Sequence, residues 1–151
     1  MDCTGGGCAL MPADTRQRLV GTWRLVSYET ESAEGRRGQP YAAAVGRLEY
    51  DDHGNMSGQV MRPNRARVEL AGNAQQVRAA YIGYIAYFGT YEVAADGKSV
   101  VHHVEGALNP AWVGGEQVRS VRFDGDRLIL SAQVQKNEDE LVVHTLTWER
   151  C

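Results

Sequence analysis

The chain of 151 residues lacks long apolar runs and lacks an excess of basic residues. No stretch approaches the ~18 consecutive apolar residues of a membrane-spanning helix, so we expect no membrane partner. Its 16 Lys and Arg residues are outnumbered by 19 Asp and Glu residues, and the net charge of −3 offers no electrostatic footprint for nucleic acid. Met1 to Leu10 contain no basic segment followed by an apolar one, so we expect no secretory signal there.

Cysteine is scarce, and the usual motifs for metals, nucleotides and covalent catalysis are missing. Cys3, Cys8 and Cys151 are odd in number and lie at the two ends of the chain, which suits neither a disulfide framework nor a zinc site. Reduced thiols indicate a cytoplasmic protein, and we expect no metal. No phosphate-binding glycine loop or Gly-x-Ser-x-Gly sequence is present, so hydrolase chemistry and a cofactor have no support.

The chain does contain a succession of short strand patterns. Its length suits one domain, which we assign to residues 13–151, after a glycine-rich and loose segment over residues 1–12. Helical spacing predicts a short helix over 13–19 and a longer one over 71–86, with the next strand opening at Phe88. The predicted fold is mainly β, an up-and-down antiparallel barrel of about eight strands with one or two short helices.

Several motifs in order carry a resemblance to a known family. They are Leu19-Val20-Gly21-Thr22-Trp23, Gly46-Arg47-Leu48-x-Tyr50, Tyr87-Phe88-Gly89-Thr90-Tyr91, Val101-His102-His103-Val104-Glu105-Gly106, Pro110-x-Trp112-Val113-Gly114-x-x-Gln117-x-Arg119 and Leu146-Thr147-Trp148-Glu149-Arg150. The chain resembles the small bacterial and fungal lipocalin-like domain family of the calycin superfamily over residues 19–150. That resemblance implies a cup whose interior holds side chains or one small ligand.

The same resemblance implies a structural role for Trp23. A tryptophan on the first strand would plug the bottom of the barrel, and Gly21 would let the chain pass close beneath it. An arginine from a late strand would stack over the indole, and either Arg150 or Arg119 could take that place.

Two adjacent histidines are the first candidates for chemistry. Because successive side chains of a strand point to opposite faces, only one of His102 and His103 can face the barrel interior, and the sequence leaves open which one. An inward histidine is either a hydrogen-bonded core residue or a general acid or base.

Arg119 is the second candidate, because an inward arginine needs a partner. The partner is either Glu105 or Glu92, in a structural ion pair, or an acidic or enol oxygen on a ligand. In the second case Arg119 and a tyrosine such as Tyr91 would clamp a developing oxyanion.

The remaining candidates would shape a binding site or simply pack the core. Tyrosines and a tryptophan at a barrel mouth suit a planar oxygenated ligand, a methionine adds an adaptable wall, and Gln117 shares the face of Arg119. The predicted ligand-binding residues are Trp112, Tyr84, Tyr87, Gln117, Met61 and Glu105.

Three functions follow from these residues. One is a cofactor-independent cyclase or isomerase of secondary metabolism, similar to barrel cyclases, which folds a hydrophobic, oxygenated, polyketide-like metabolite by preorganisation. The alternative is a carrier that binds a hydrophobic small molecule without chemistry. A third is a fully packed barrel that acts through its surface. Each is compatible with a monomer or a homodimer.

Overall fold

The computed structural model describes residues 11–69 and 71–151. Its helices are α1 (Pro12–Leu19) and α2 (Ala74–Ile82), and one turn of 3-10 helix spans Pro110–Trp112. Its strands are β1 (Gly21–Ser32), β2 (Arg37–Gly38), β3 (Val45–Tyr50), β4 (Asn55–Met61), β5 (Tyr84–Val93), β6 (Ser99–Ala107), β7 (Glu116–Asp124), β8 (Arg127–Asn137) and β9 (Glu140–Arg150).

The strands form one antiparallel sheet that closes on itself. From β3 to β9 each strand pairs with the next one in the chain, and β1 pairs with both β3 and β9. The short β2 only extends the far end of β1, through Thr30 and Glu31. The result is a closed barrel of eight antiparallel strands with two short helices, which confirms the predicted fold class.

The bottom of the barrel is closed by the interaction predicted for Trp23. The Trp23 indole is buried and donates from Nε1 to the Leu19 carbonyl at 2.8 Å. The Arg150 guanidinium lies 4.2 Å from the ring centroid and donates to the Val20 carbonyl. Gly21 has a φ of +136°, and a Cβ there would lie 2.5 Å from a guanidinium nitrogen of Arg150. Arg150 therefore takes the position over the indole, and glycine is required beneath it.

α1 seals the same end. Thr15 is fully buried and donates from Oγ1 to the Gly97 carbonyl at 2.8 Å. The guanidinium of Arg18 lies 3.9 Å from the centroid of the Phe123 ring. α1 occupies the bottom. At the opposite end α2 joins β4 to β5, and the 3-10 turn joins β6 to β7.

The predicted helix over 71–86 is too long, and the prediction that the next strand opens at Phe88 is wrong. A capping box between Asn73 and Gln76 starts α2 at Ala74. The helix ends at Ile82 with Gly83 as its C-cap, and Tyr84 already pairs with Met61 in the sheet. The helical spacing continues over residues 84–86, but these residues pair with strand β4 and are therefore part of the sheet.

The predicted loose segment over residues 1–12 falls mainly outside the described residues, since the structure describes the chain from residue 11. Within the described part, Pro12 already belongs to α1. Cys3 and Cys8 likewise lie outside it, whereas Cys151 is exposed and has a free thiol.

A bulge in β1 decides which of its side chains enter the barrel. The register against β9 shifts between Leu25 and Ser27. As a result the buried positions are Trp23, Leu25 and Tyr28, instead of the strict alternation that would turn Ser27 inward. The bulge thereby places a tyrosine on the cavity wall.

The described residues contain neither a membrane-spanning helix nor a cluster of metal-binding side chains. Neither helix in ranges 11–69 and 71–151 is long and apolar enough to cross a membrane. The same ranges bring together no group of three His, Cys, Asp or Glu side chains that could hold a metal ion.

Trp23→Ala should lower the free energy of unfolding by about 3–5 kcal/mol, because it removes a buried indole and the surface on which Arg150 rests. Urea denaturation measures the change. Val118→Ala is the control, because Val118 is 54% exposed and should change stability little. A loss below about 1 kcal/mol for Trp23→Ala would contradict the structural role of the indole.

Candidate functional site

The barrel encloses a cavity of about 310 Å³. Much of its wall is apolar, including Leu48, Val60, Ile85, Leu130, Leu146 and Trp148. Trp112, from the 3-10 turn, lines it as well and meets Tyr87 edge to face with ring centroids 6.0 Å apart. No Asp or Glu is among the described residues that line the cavity. The volume lies at the lower end of the ~300–1,000 Å³ range of small-molecule sites.

Arg119 projects from β7 into this cavity. Its guanidinium donates to the Val118 carbonyl at 2.9 Å and to Oε1 of Gln117 at 3.0 Å. Within residues 11–69 and 71–151 it forms no ion pair with a carboxylate. A cation on an apolar wall thus keeps its charge uncompensated, which favours an anionic or strongly accepting group on a ligand.

The structural ion pairs considered for Arg119 are absent for a geometric reason. Glu92 lies on the outer surface, where its Oε2 is 3.3 Å from Nε2 of His103. Glu105 is exposed and does not line the cavity. Both carboxylates therefore face away from the guanidinium.

His102 is the inward member of the histidine pair and is held at both ring nitrogens. Its Nε2 lies 2.7 Å from the Tyr50 hydroxyl, and its Nδ1 lies 2.7 Å from the Tyr87 hydroxyl. Burial, together with the charge of Arg119 and that of His103, lowers the pKa of His102 to about 3. The ring is therefore neutral at pH 7, with one nitrogen a donor and the other an acceptor.

A second histidine–tyrosine pair lies on the cavity wall. The Tyr28 hydroxyl is 2.8 Å from Nδ1 of His144. Burial raises the pKa of Tyr28 to about 12, and burial followed by the charge of Arg119 lowers the pKa of His144. Both partners are consequently neutral at pH 7.

Trp148 contributes a donor for which the described residues offer no acceptor. Its indole is 3% exposed, and among the described residues Nε1 finds no hydrogen-bond acceptor. Since the indole also lines the cavity, the interior offers donors from Arg119 and Trp148 without an acidic acceptor of its own.

The structure brings half of the predicted site residues together. Those that line the cavity are His102, Arg119, Tyr87, Trp112 and Gln117. The others lie elsewhere, namely His103, Tyr91, Tyr84, Met61 and Glu105. The outer pair His103 and Glu105 point away from the cavity because they alternate with inward residues along β6.

The remaining three predicted site residues lie outside the cavity for separate reasons. Tyr91 is buried below the cavity, and its hydroxyl donates to the Asp51 carbonyl at 2.6 Å, which leaves it no free donor for a ligand. Tyr84 and Met61 pair across β4 and β5 on the outer face, in a shallow groove beside Arg47. Oxyanion clamping by Tyr91 and wall packing by Tyr84 and Met61 therefore have no geometric basis.

Sequence reasoning missed Tyr50, Tyr28 and His144 as site residues. Tyr50 shares a face with Leu48, and His144 shares a face with Leu146 and Trp148, so alternation along β3 and β9 contained the signal for both. Tyr28 is inward only because of the bulge after Leu25, for which the sequence has no clear marker.

Comparison with known proteins identifies the family. A family model described as a lipocalin-like domain matches residues 20–151. The 4'-hydroxy-3'-methoxypropiophenone carrier protein ppsC of Aspergillus oryzae is 36% identical over 86 residues, which cover 50% of this chain and 78% of that protein. Among solved structures, EF1p2_mFAP2b bound to DFHBI aligns with 91% of this chain and 98% of its own at a TM-score of 0.45 and 13% identity. A likeness of that degree supports no functional argument.

The low pKa of His102 makes stability depend on pH. The unfolded chain binds a proton at this residue below its ordinary pKa of 6.5, whereas the folded chain does so only near 3. Stability contributed by the neutral ring is thus complete above pH 6.5 and is lost as the pH falls towards 3. Between pH 7 and pH 5 His102 should account for a loss of about 2 kcal/mol in urea unfolding, and His144, whose pKa is also lowered, adds to the loss of the wild type.

An exposed residue without an ionisable group provides the control for that measurement. Val118→Ala, at a residue that is 54% exposed, should leave the pH-dependent loss unchanged, whereas His102→Gln should reduce it. An equal loss in His102→Gln and in the wild type would show that other groups cause it.

Proposed function

Because the chain belongs to the lipocalin-like domain family, we propose that its barrel cavity binds one small hydrophobic, oxygenated molecule and carries it without changing it. The apolar wall with a few polar groups is the composition of such sites. The size of the cavity suits a compact aromatic metabolite better than a long lipid. Each side chain that we assign to the site comes from one chain, so the proposal requires no second protomer. The cytoplasm is the proposed setting.

The observation that carries the proposal is the uncompensated charge of Arg119. A guanidinium on an apolar wall gains most from a ligand oxygen that is acidic, because the resulting hydrogen bonds are charge-assisted. The described part of the wall holds no carboxylate that competes for it. The site consequently favours phenolates, enolates and carboxylates and disfavours amines.

A phenolic aryl ketone is the ligand class that we propose. The relative from Aspergillus oryzae is named as a carrier of 4'-hydroxy-3'-methoxypropiophenone, a molecule with an aromatic ring, an acidic phenol and a carbonyl. In this chain Trp112 and Tyr87 place aromatic rings on the cavity wall, and Arg119 offers a charge to the phenol oxygen. The ligand would be a secondary metabolite of that chemical kind.

A cofactor-free cyclase or isomerase is the second candidate. The two histidine–tyrosine pairs beside Arg119 favour it, because such pairs can move a proton while the guanidinium stabilises an enolate. We place it second because His102 has a pKa of about 3 and hydrogen bonds at both nitrogens, so it is a weak base at neutral pH.

Arg119→Gln should weaken binding of 4'-hydroxy-3'-methoxypropiophenone by about tenfold to a hundredfold, since it removes charge-assisted hydrogen bonds to the phenol oxygen. Isothermal titration calorimetry at pH 8 measures the affinity. Arg122→Gln is the matched control, because Arg122 lies on the same strand but its side chain is exposed. Equal affinity in both variants would contradict the role of Arg119.

The same probe tests whether the bound molecule is ionised. A phenolate absorbs at longer wavelength than the phenol, so its titration can be followed in the complex. The phenol of the bound ketone should ionise at lower pH than in water, and Arg119→Gln should cancel that shift. The ketone with its phenol methylated cannot ionise at that oxygen, so it should bind the wild type and Arg119→Gln with similar affinity.

Incubation separates carrier from enzyme. A carrier should return the ketone unaltered after hours at equimolar concentration, as judged by mass and retention time in liquid chromatography. Turnover of the ketone, or of a longer polyketone that can cyclise, by the wild type and not by Arg119→Gln would favour the cyclase or isomerase instead.

A further inference from the structure

The hydrogen-bond chain Tyr50–His102–Tyr87 has a direction. A neutral imidazole carries one N–H and one bare nitrogen, so it donates to one tyrosine and accepts from the other. Both hydroxyl–nitrogen distances are 2.7 Å. Distance alone therefore cannot tell the two directions apart, but the surroundings of the two hydroxyls can.

The two tyrosines differ in what surrounds them. Tyr50 is 1% exposed and does not line the cavity, and among the described residues its hydroxyl has only Nε2 of His102 as a partner. The Tyr91 ring packs edge to face against it, with ring centroids 4.8 Å apart, while the Tyr91 hydroxyl is engaged with Asp51. Tyr87, in contrast, borders the cavity.

This difference decides where the spare proton lies. If His102 donated from Nε2, the Tyr50 proton would be buried without an acceptor, which should depopulate that arrangement by about tenfold to a hundredfold. If Tyr50 donates to Nε2, the proton of His102 is on Nδ1 and points to the Tyr87 oxygen. The unused proton is then that of Tyr87, which can reach a ligand in the cavity.

Arg119 bears more directly on Tyr87 than on Tyr50. Its charge opposes the effect of burial on the pKa of both tyrosines, but only Tyr87 shares the cavity wall with the guanidinium. A nearby cation favours an orientation in which the oxygen lone pairs face it and the O–H bond points away.

We infer that Tyr50 is a positioning residue that fixes His102 as its Nδ1–H form, so that Tyr87 donates its hydroxyl proton to an acceptor oxygen of the ligand. This inference rests on the proposed function, and it specifies the ligand chemistry further. Arg119 and Tyr87 both act as donors, so the ligand must present an oxygen that accepts hydrogen bonds, namely a phenolate, an enolate or a carbonyl. A neutral alcohol that needs an acceptor is disfavoured.

The direction of the chain can be measured without any ligand. In protein with ¹⁵N-labelled histidine, two-bond ¹H–¹⁵N spectra distinguish an Nδ1–H ring from an Nε2–H ring, and His102→Gln identifies the signals of His102. We expect the Nδ1–H form at pH 7. Detection of the Nε2–H form as the major species would overturn the inference, whether or not the protein binds a ketone.

Three single-hydroxyl deletions test the link to the ligand. For 4'-hydroxy-3'-methoxypropiophenone at pH 8, Tyr87→Phe should weaken binding by about tenfold, since it removes the donor. Tyr50→Phe does not touch the ligand, yet it should weaken binding by about threefold and move the His102 ¹⁵N shifts towards the values of a mixture of forms. Tyr91→Phe is the matched control, because it removes a buried hydroxyl from the same cluster and should leave affinity and ¹⁵N shifts unchanged.

The outcomes separate this inference from the proposed function. Tight binding by the wild type together with an unchanged affinity and unchanged ¹⁵N shifts in Tyr50→Phe overturns the positioning role alone. No binding of the ketone by the wild type overturns the proposed ligand class, while the ¹⁵N measurement still decides the direction of the chain. Urea unfolding of each variant establishes that it is folded, and the wild-type spectrum needs no variant beyond His102→Gln for assignment.

Discussion

The closure of β1 against β9 is the constraint on which the rest of the structure depends, and Arg150 fixes it. This residue ends β9, pairs with Trp23 in register and lies across its indole. It also donates to the Val20 carbonyl in the link between α1 and β1. One side chain thus joins the last strand, the first strand and the bottom helix. Without this closure β1 and β9 would be open edges, and the cavity would have no enclosing wall.

Closure of the barrel also raises the energetic importance of the polar groups in its interior. In an enclosed apolar space a hydrogen bond is stronger and an unpaired polar atom is more costly than in water. The chain meets this constraint at His102 and His144 by giving each a tyrosine partner. Among the described residues, Nε1 of Trp148 has no hydrogen-bond acceptor and Arg119 has no carboxylate partner. These unmet donors are what distinguish a binding cavity from a packed core.

Much of the fold could be predicted from the sequence, because alternating strands and turn sequences are local signals. The place of Trp23 at the barrel bottom followed from the family resemblance. The site was harder, since it depends on which face of each strand turns inward. Alternation shows that His102 and His103 diverge but not which one enters. The bulge in β1 turns Tyr28 inward against simple alternation. The extent of α2 was overestimated because pairing of Tyr84 with Met61 overrides helical spacing. These last two errors arose where long-range pairing outweighs local preference.

The protonation and hydrogen bonding of the interior side chains bear on whether the site could catalyse a reaction or only bind a molecule. A general base at neutral pH needs a free nitrogen and a pKa near 7, whereas both nitrogens of His102 are engaged and burial holds its pKa at about 3. We propose that His102 instead orients the hydroxyls beside it. Donors that hydrogen bonds orient around one cation give selectivity at low entropic cost on binding, but His102 does not readily accept a proton. Chemistry at this site would therefore have to use His144, whose Nδ1 is engaged by Tyr28 and whose pKa is also lowered by burial. These interactions support the proposed carrier over the proposed enzyme.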